Sequence, residues 1–257
     1  MLQAAIESIL NQTHVDIELI ISDNDSDDET AEICRIYAER DNRIIYFRQK
    51  SMLSPFDNFQ FVLNESRGMY FMWAAHDDLR SADYIENLIV GLENKSAVLA
   101  FGDLLTTQSH AEIPTPKSYD FETEGLHYLS RVRKQSMNLC YHFYGLWKSS
   151  EIKSIPKRDI EWGADLLMLT AMSLRGEFVY VPGPQFIYYE IPKSIEYIVK
   201  NDYAKKPESR IYYATKLIRE TVSAFNEMGA PLAGAYAGLC VFERLARAWV
   251  EKKYRRI

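Results

Sequence analysis

Residues 17–30, IELIISDNDSDDET, and residues 69–78, MYFMWAAHDD, decide the fold prediction. Each stretch is an apolar run that predicts a buried β-strand, followed by a turn rich in aspartate. In an open parallel sheet, ligands bind outside the carboxyl ends of the strands. The two turns therefore predict one sheet edge with two carboxylate clusters, a site suited to a hard metal ion and a phosphorylated ligand.

Predicted strands and helices alternate through the first hundred residues, and this order is typical of a doubly wound, mainly parallel α/β sheet. The predicted strands cover residues 17–22, 43–48, 69–74 and 97–102. Residues 104–125 predict a long surface loop, and the aromatic-rich stretch 139–147 predicts a strand. Two short strands divided by a Pro-Gly-Pro turn are predicted within 178–189, and only helices are predicted beyond about residue 194.

Composition narrows the class of protein. The chain has 257 residues, 47% of them hydrophobic, which is enough for a sizeable core. A net charge of −6 does not favour nucleic acid as a partner. Cys34, Cys140 and Cys240 are far apart and predict buried thiols in a reducing, cytoplasmic compartment. We expect no membrane-spanning helix, because no run of about 18 apolar residues occurs, and no signal peptide, because Glu7 interrupts the first apolar segment.

The turn 23–30 has three interpretations. It can be a solvated turn that caps a helix, for which Ser26 and Glu29 have capping-box spacing. It can be an EF-hand calcium loop, but Cys34 stands where that loop needs a bidentate glutamate. It can also be a nucleotide site in which Asp23, at the end of its strand, accepts hydrogen bonds from a base or a ribose.

The motif His76-Asp77-Asp78 predicts metal binding more strongly. Adjacent carboxylates at a strand end repel each other and cost stability unless a cation binds. A divalent cation that bridges a diphosphate fits this pair, since Mg²⁺ and Mn²⁺ take one or two carboxylates plus phosphate oxygens. The alternative is an exposed turn in which Asp78 caps the next helix. The apolar run in front of the motif favours binding.

A third motif surrounds Asp165, which begins an otherwise apolar helix after Glu161-Trp162-Gly163-Ala164. One interpretation is a first-turn carboxylate that the helix dipole stabilises. The other is a general base beside an aromatic platform for an acceptor molecule. The motif alone leaves both open.

Together, and in this order, the three motifs resemble those of the family 2 glycosyltransferases with the GT-A fold. The residues that carry the resemblance are AAIESILNQTHVDIELIISDNDSDDET (4–30), SRGMYFMWAAHDDLRSADYIENL (66–88) and EWGADLLMLTAMSLRGEFVYVP (161–182). The resemblance covers roughly residues 3–190. It implies transfer of a sugar, with inversion, from a nucleotide sugar, expected to be UDP-linked, to a glycan or lipid-linked acceptor.

The resemblance also implies roles for individual residues. Nucleotide contacts are implied for Asp23, Asn24, Asp25, His76 and Asp77. A divalent metal, Mn²⁺ or Mg²⁺, is implied on Asp77 and Asp78, and a general base at Asp165. Candidate platforms for an acceptor sugar are Tyr144, Trp147 and Trp162. The implied domains are a GT-A-like domain over 1–190, with a nucleotide-sugar half (1–103) and an acceptor half (104–190), and a helical extension over 191–257.

Two departures from the family pattern bear on activity. Family members often have Asp-x-Asp at the metal, whereas Ala75 precedes His76 here and leaves Asp77 as the main ligand. The family usually begins with a further strand, and this chain starts at the following helix. We therefore expect weakened nucleotide affinity, and an inactive protein of the same fold that binds or scaffolds is the first rival. A nucleotidyltransferase is the second rival, but it would need a Gly-rich phosphate loop near its start.

The helical C-terminal part suggests partners. Gly234 and Gly238 have the small-xxx-small spacing that permits close helix packing. The tail 252–256 is basic, which fits an amphipathic helix on the inner face of an anionic membrane. The favoured alternative is an ordinary helix end with cations that suit the dipole, or a helical contact in a homodimer.

Overall fold

The computed structural model describes residues 1–93, 97–109, 112–117, 121–158, 160, 163–190 and 207–254. The helices are α1 (Leu2–Leu10), α2 (Thr30–Arg40), α3 (Pro55–Glu65), α4 (Tyr84–Glu93), α5 (Tyr128–Met137), α6 (Ser149–Lys153), α7 (Ala164–Arg175), α8 (Pro207–Glu227) and α9 (Pro231–Tyr254). The strands are β1 (Leu19–Asp23), β2 (Ile44–Arg48), β3 (Tyr70–Phe71), β4 (Leu79–Arg80), β5 (Ala97–Thr107), β6 (Thr115–Pro116), β7 (Leu146–Lys148) and β8 (Glu177–Tyr189). A 3₁₀ helix covers Tyr141–Tyr144.

The chain forms two compact units, and the first holds both acidic turns. Unit 1 comprises residues 1–122, 141–153 and 178–190. Its β1 and β2 pair in parallel, with Leu19 opposite Ile44. Its six-stranded sheet has the order β3-β7-β5-β8-β4, and β6 pairs with the outer end of β5. Mixed α/β structure with a helical C-terminal part is confirmed.

Strand direction in unit 1 is mixed. Among the registered pairs of the described residues, β1–β2 is parallel, whereas β3–β7, β4–β8, β5–β6 and β5–β7 are antiparallel. Three of these strands have two residues each and β7 has three. Such short strands leave no readable hydrophobic period, so their direction is fixed by tertiary contacts.

The core of unit 1 surrounds β5. From Ala97 to Leu104, every residue of this strand is buried except Asp103, which is half-buried. Helix α4 packs on one side of it through Tyr84, Leu88 and Leu92. Aromatic rings fill another part: Trp73 stacks on Phe143 with ring centroids 4.3 Å apart. This packing fixes the chain immediately before His76-Asp77-Asp78. The motif therefore lies at the end of a buried segment, which the apolar run in front of it predicts.

Unit 2 is helical and comprises residues 123–140, 154–177 and the chain beyond 190, of which 207–254 are described. Helices α5 and α7 pack with α8 and α9 through two apolar clusters; Phe225, for example, is fully buried. This division differs from the predicted boundary at residue 190, because segments 123–140 and 154–177 join the C-terminal helices. The sequence prediction missed α5, whose mean hydropathy is low.

Three local predictions are also corrected. The stretch 139–147 is mostly a 3₁₀ helix, followed by the short β7. The Pro-Gly-Pro turn does not end a strand, and β8 is one strand through Pro182 and Pro184. The Ser26–Glu29 capping box does not form, since α2 begins at Thr30 and the carboxylate of Asp28 accepts the Thr30 N–H instead.

Candidate active site

Asp23 ends β1 and is buried, and its carboxylate is held by the protein. Oδ1 accepts the backbone N–H of Ser26 at 2.9 Å, and Oδ2 accepts the hydroxyl of Tyr46 on β2 at 3.0 Å. Burial alone would raise the pKa of Asp23, but these hydrogen bonds and the charge of Arg48 outweigh burial and lower it. Asp23 therefore fixes the acidic turn to β2, and its direct contact with a nucleotide stays a prediction.

The next two residues shape the same turn. Asn24 forms a closed pair of hydrogen bonds with the backbone of Leu53, donating to its carbonyl at 3.0 Å and accepting from its N–H at 2.8 Å. Asp25 has φ +62°, and its exposed carboxylate lies 3.6 Å from Arg48. A left-handed φ at a non-glycine residue is uncommon, and aspartate is among the residues that tolerate it. Asp23 is buried and Asp25 is exposed, so the carboxylate of Asp25 is the accessible one of these two.

His76-Asp77-Asp78 lies between β3 and β4 and precedes the pairing of Leu79 with Ile187 on β8. Asp78 is 1% exposed, and its Oδ1 accepts the backbone N–H of Tyr189 at 3.0 Å. Asp77 is 8% exposed and has no hydrogen-bond partner within the described part of the chain; the Nδ1 of His76 lies 3.8 Å from its Oδ1. Of these two acids, Asp77 is thus the one whose carboxylate can still accept a ligand. Asp78 connects the loop to β8.

An electrostatic interaction connects the two acidic turns. Hydrogen bonds from Thr30 lower the pKa of Asp28, and the nearby ring of His76 contributes to the same shift. Asp28 in the turn after β1 therefore lies within electrostatic range of His76 in the loop before β4. The prediction that both turns lie at the edge of one sheet is wrong, because β1 belongs to the two-stranded sheet whereas β3 and β4 belong to the six-stranded sheet.

Arg80 is a buried cation beside this loop, and the sequence analysis did not single it out. Its Nη2 donates to the carbonyl of Trp73 at 2.9 Å, and its guanidinium lies over the ring of Phe186, 5.1 Å from the centroid. Burial lowers its pKa. Among the described residues, its Nε and Nη1 and the Oδ2 of Asp78 have no hydrogen-bond partner. Arg80 connects the end of the loop that carries Asp77 to Trp73 at its start, and Asp78 connects the loop to β8.

The carboxylates fit a divalent metal of the kind that phosphates complete. No group of three metal-ligating side chains, and so no closed protein cage for a metal, occurs among the described residues. Burial, with the charge of Asp77 adding to it, raises the pKa of Asp78 to about 6 despite the Tyr189 hydrogen bond and Arg80. A cation would relieve this repulsion. One or two carboxylates suit Mg²⁺ or Mn²⁺, which take their remaining ligands from phosphate and water.

Asp165 lies in unit 2, in the first turn of α7. Gly163 precedes the helix with φ +78°, and a Cβ at that position would lie 2.8 Å from Leu217 Cδ2, so the local backbone requires glycine. The Oδ1 of Asp165 accepts the N–H of Leu166 at 2.8 Å. Burial and the charge of Asp165 raise the pKa of the Cys140 thiol, which donates to this carboxylate. The half-buried Asp165 is therefore oriented, and its role as a base stays a prediction.

The predicted acceptor platforms need correction. Trp147 is fully buried, its Nε1 donates to the carbonyl of Phe143, and it cannot stack on a sugar. Tyr144 is half-buried and packs against the core, with its ring 5.6 Å from that of Phe186. Trp162 lies outside the described residues. The aromatic-rich stretch 139–147 contributes to the core of unit 1, because aromatic side chains bury large apolar areas.

A polar and aromatic group that the sequence analysis missed surrounds the end of β8. Lys117 contacts Tyr141 and Glu190 there, and Tyr141 contacts Tyr188. Lys117 had been assigned to a surface loop and the two tyrosines to strands. No sequence spacing links residues 117, 141 and 190, so only the fold brings them together.

Comparison with known proteins identifies relatives. The family model described as Glycosyl transferase family 2 matches residues 1–144. The glycosyltransferase GlyA of Streptococcus pneumoniae is 29% identical over 159 residues, which is 60% of this chain and 20% of GlyA. The GalNAc(5)-diNAcBac-PP-undecaprenol beta-1,3-glucosyltransferase of Campylobacter jejuni is 27% identical over 158 residues, 60% of this chain and 49% of that protein. The chain spans between a fifth and a half of these relatives.

Solved structures share the fold. TarS (residues 1–349) of S. aureus in complex with UDP superimposes with a TM-score of 0.66 at 11% identity, covering 97% of this chain and 68% of TarS. The same protein in complex with UDP-GlcNAc gives a TM-score of 0.68 at 13% identity, covering 95% and 68%. Within the described residues, none of the helices is both long enough and apolar enough to cross a membrane.

Proposed function

We propose, from the premise that the chain belongs to glycosyl transferase family 2, that it transfers a sugar from a UDP-sugar to a hydroxyl group of a glycan or glycolipid, with inversion at the anomeric carbon. The observation that carries the proposal is Asp77, a nearly buried carboxylate without a hydrogen-bond partner in the described chain, in the loop between β3 and β4. The UDP and UDP-GlcNAc complexes of the structurally similar TarS support a uridine nucleotide as the donor.

Asp77 is the proposed ligand of a divalent metal, Mn²⁺ or Mg²⁺. When bound, such an ion neutralises charge on the departing nucleoside diphosphate. Asp78 and Arg80 keep the loop in place through the Tyr189 N–H and the Trp73 carbonyl. Asp25, which is accessible, and the fixed turn around Asp23 are proposed to contact the nucleotide.

Asp165 is the proposed general base. Its Oδ1 accepts the Leu166 N–H at 2.8 Å, and this oriented carboxylate is proposed to take the proton of the acceptor hydroxyl. Proton removal by a positioned side chain typically contributes about 10²–10⁴-fold to a rate. A base that activates the acceptor for direct attack on the donor is what inversion in one displacement requires.

The acceptor and the place of action are proposed at a coarser level. The Campylobacter jejuni relative is named for an undecaprenol-linked substrate, which supports a lipid-linked glycan as one acceptor class. Action in the cytoplasm, against the inner face of the membrane, stays a prediction. The side chains of the basic tail 252–256 lie outside the described residues.

Calorimetric titration with UDP in the presence of Mn²⁺ tests the proposal. The unaltered chain should bind UDP in a metal-dependent manner. Asp77→Asn should weaken UDP binding by at least about 10- to 100-fold, because the metal loses a charged ligand. Asp165→Asn should leave UDP affinity within about twofold but slow the release of UDP from a UDP-sugar by about 10²-fold or more.

Asp27→Asn is the matched control, because Asp27 is an exposed acid in the neighbouring turn. It should leave both affinity and rate unchanged. Binding of UDP that is equally tight in the chain and in Asp77→Asn would contradict the assigned site. Binding without turnover in the unaltered chain would favour the rival function, a binding protein with this fold.

A further inference from the structure

A compact cluster of four side chains lies in unit 1 next to the Asp77 loop, and no role has been assigned to it so far. Lys117 follows β6, Tyr141 begins the 3₁₀ helix, and Tyr188 and Glu190 stand at the end of β8. We refer to Lys117, Tyr141, Tyr188 and Glu190 as the β8-end cluster.

The cluster is built by direct contacts. The Nζ of Lys117 donates to Oε1 of Glu190 at 2.6 Å and to the hydroxyl of Tyr141 at 3.1 Å. The ring of Tyr141 meets that of Tyr188 edge to face, with centroids 5.2 Å apart. The backbone is also fixed, since Glu190 N–H donates to the Thr107 carbonyl and Lys117 N–H to the Leu104 carbonyl, each at 2.8 Å. These contacts hold the four side chains in one arrangement.

Strand register sets the cluster beside the carboxylates. Leu79 pairs with Ile187 in antiparallel fashion, so the next step along the two chains sets Asp78 beside Tyr188. The hydrogen bond from Tyr189 N–H to Asp78 confirms that the chains remain adjacent beyond the last registered pair. Burial and the charges of Asp78, Tyr141, Asp77 and Glu190 raise the pKa of Tyr188, which agrees with this proximity.

The cluster retains hydrogen-bonding capacity toward a ligand. Lys117 and Glu190 are each 36% exposed. An ammonium group has three donors, and two of those of Lys117 are used; among the described residues, Oε2 of Glu190 has no partner. A hydroxyl group both donates and accepts, so one sugar hydroxyl can accept from Lys117 while it or its neighbour donates to Glu190. The tyrosine rings supply an apolar flank with polar tips.

We propose that the β8-end cluster binds the sugar of the nucleotide-sugar donor and determines which sugar is accepted. This inference rests on the proposed function, because it takes Asp77 as the residue that marks the diphosphate. The sugar is attached directly to that diphosphate, and the cluster is a built polar group next to the loop that carries Asp77, so we assign the sugar to the cluster. Pairs of charged groups that hydrogen-bond a substrate hydroxyl reject analogues that lack it.

The test compares the binding of UDP with that of UDP-sugars. The probes are UDP, UDP-glucose, UDP-galactose, UDP-GlcNAc and UDP-GalNAc, titrated with Mn²⁺ into the unaltered chain and into Glu190→Gln and Lys117→Met. Loss of a charged hydrogen-bonding partner should weaken the preferred UDP-sugar by roughly 10- to 100-fold. The affinity for UDP should stay within about twofold.

Controls separate the sugar from the nucleotide and from folding. Glu39→Gln and Lys50→Met change exposed residues of unit 1 in the same chemical way and should alter neither affinity. Equal weakening of UDP and UDP-sugar in Glu190→Gln would overturn the inference, since the cluster would then act only by supporting the Asp78 loop. Unchanged binding of all probes in both variants would also overturn the inference about the cluster. In that case, binding of UDP by the unaltered chain would still support the proposed function. Absence of UDP binding by the unaltered chain would overturn both.

Discussion

Asp23 and Asp77, both in unit 1, differ in what surrounds their carboxylates. Both oxygens of Asp23 are bound by protein donors, the Ser26 N–H and the Tyr46 hydroxyl. Asp77 has only a distant imidazole within the described residues. A buried polar group without a partner costs stability, and such a cost is often found at functional sites. At the residue scale, Asp77 is therefore the stronger functional candidate.

His142 provides a prediction about stability and pH. Its ring is buried and stacks on Phe121 with centroids 4.4 Å apart, and burial lowers its pKa to about 3. The unfolded chain binds a proton below about pH 6.5, whereas the folded chain does not until about pH 3. Stability is therefore lost as pH falls from about 6.5. Between pH 7 and pH 5 the loss from this residue should be about 2 kcal/mol.

Urea unfolding of His142→Phe at both pH values measures this contribution. The variant should lose about 2 kcal/mol of the difference between pH 7 and pH 5. His127→Phe, at an exposed position, should keep the full difference. If His142→Phe kept it too, the ring would have to be protonated in the folded state.

The sequence predicts which residue types form the candidate site, but it does not predict how buried or how hydrogen-bonded each of them is. The acidic turns and the motif at Asp165 stand out because each follows or begins an apolar element, a local pattern in the sequence. These properties depend on side chains from distant elements, such as Phe143 and Tyr46. They include the burial of Trp147, the hydrogen bonds to both oxygens of Asp23 and the lack of a hydrogen bond to Asp77 among the described residues. A single sequence does not contain those contacts in readable form.

At the element scale, α8 and α9 show how a local motif gained a different partner. Gly234 and Gly238 were predicted to permit close helix packing, with a homodimer as one outcome. They face α8 of the same chain: a Cβ on Gly234 would lie 2.7 Å from Phe225 Cβ and 3.1 Å from the Val222 carbonyl oxygen. The small residues therefore serve packing inside unit 2, and a homodimer is left without this support.

Gly234→Ala should consequently destabilise the protein. The methyl group has no space against the α8 backbone, and overpacking of this kind typically costs about 1–3 kcal/mol, partly offset by the higher helix propensity of alanine. Thermal or urea unfolding measures the change. Ala235→Ser, on the exposed side of the same helix, should change stability by less than about 0.5 kcal/mol. A Gly234→Ala variant as stable as this control would contradict the described packing.

At the scale of the whole molecule, the proposed roles divide between the two units. Asp23, Asp77 and the β8-end cluster belong to unit 1, and Asp165 belongs to unit 2. The sequence prediction divided the chain at residue 190 instead. Segments 123–140 and 154–177 leave the sheet unit because their apolar faces pack on α8 and α9.

Hydrogen exchange with and without UDP and Mn²⁺ should follow this division. Binding at 100 times the dissociation constant stabilises a binding-competent fold by about 2.7 kcal/mol. We expect slower exchange in peptides that cover residues 23–53 and 75–80, and little change in α8 and α9. Asp77→Asn should abolish the effect at the same UDP concentration. Protection confined to the helices of unit 2 would contradict the assignment of nucleotide binding to unit 1.

The sequence by itself determined the α/β class, the helical C-terminal part, the order of the main elements through β5 and the two acidic turns after apolar segments. These features follow from local periodicity and from the chemistry of turn residues. Only the tertiary structure decided the antiparallel pairing of β3, β4 and β7, the burial of Trp147, the division into two units and the contact of Lys117 with Glu190. Each of these depends on residues distant in the chain, and the free energy of packing them together has no local signature in the sequence.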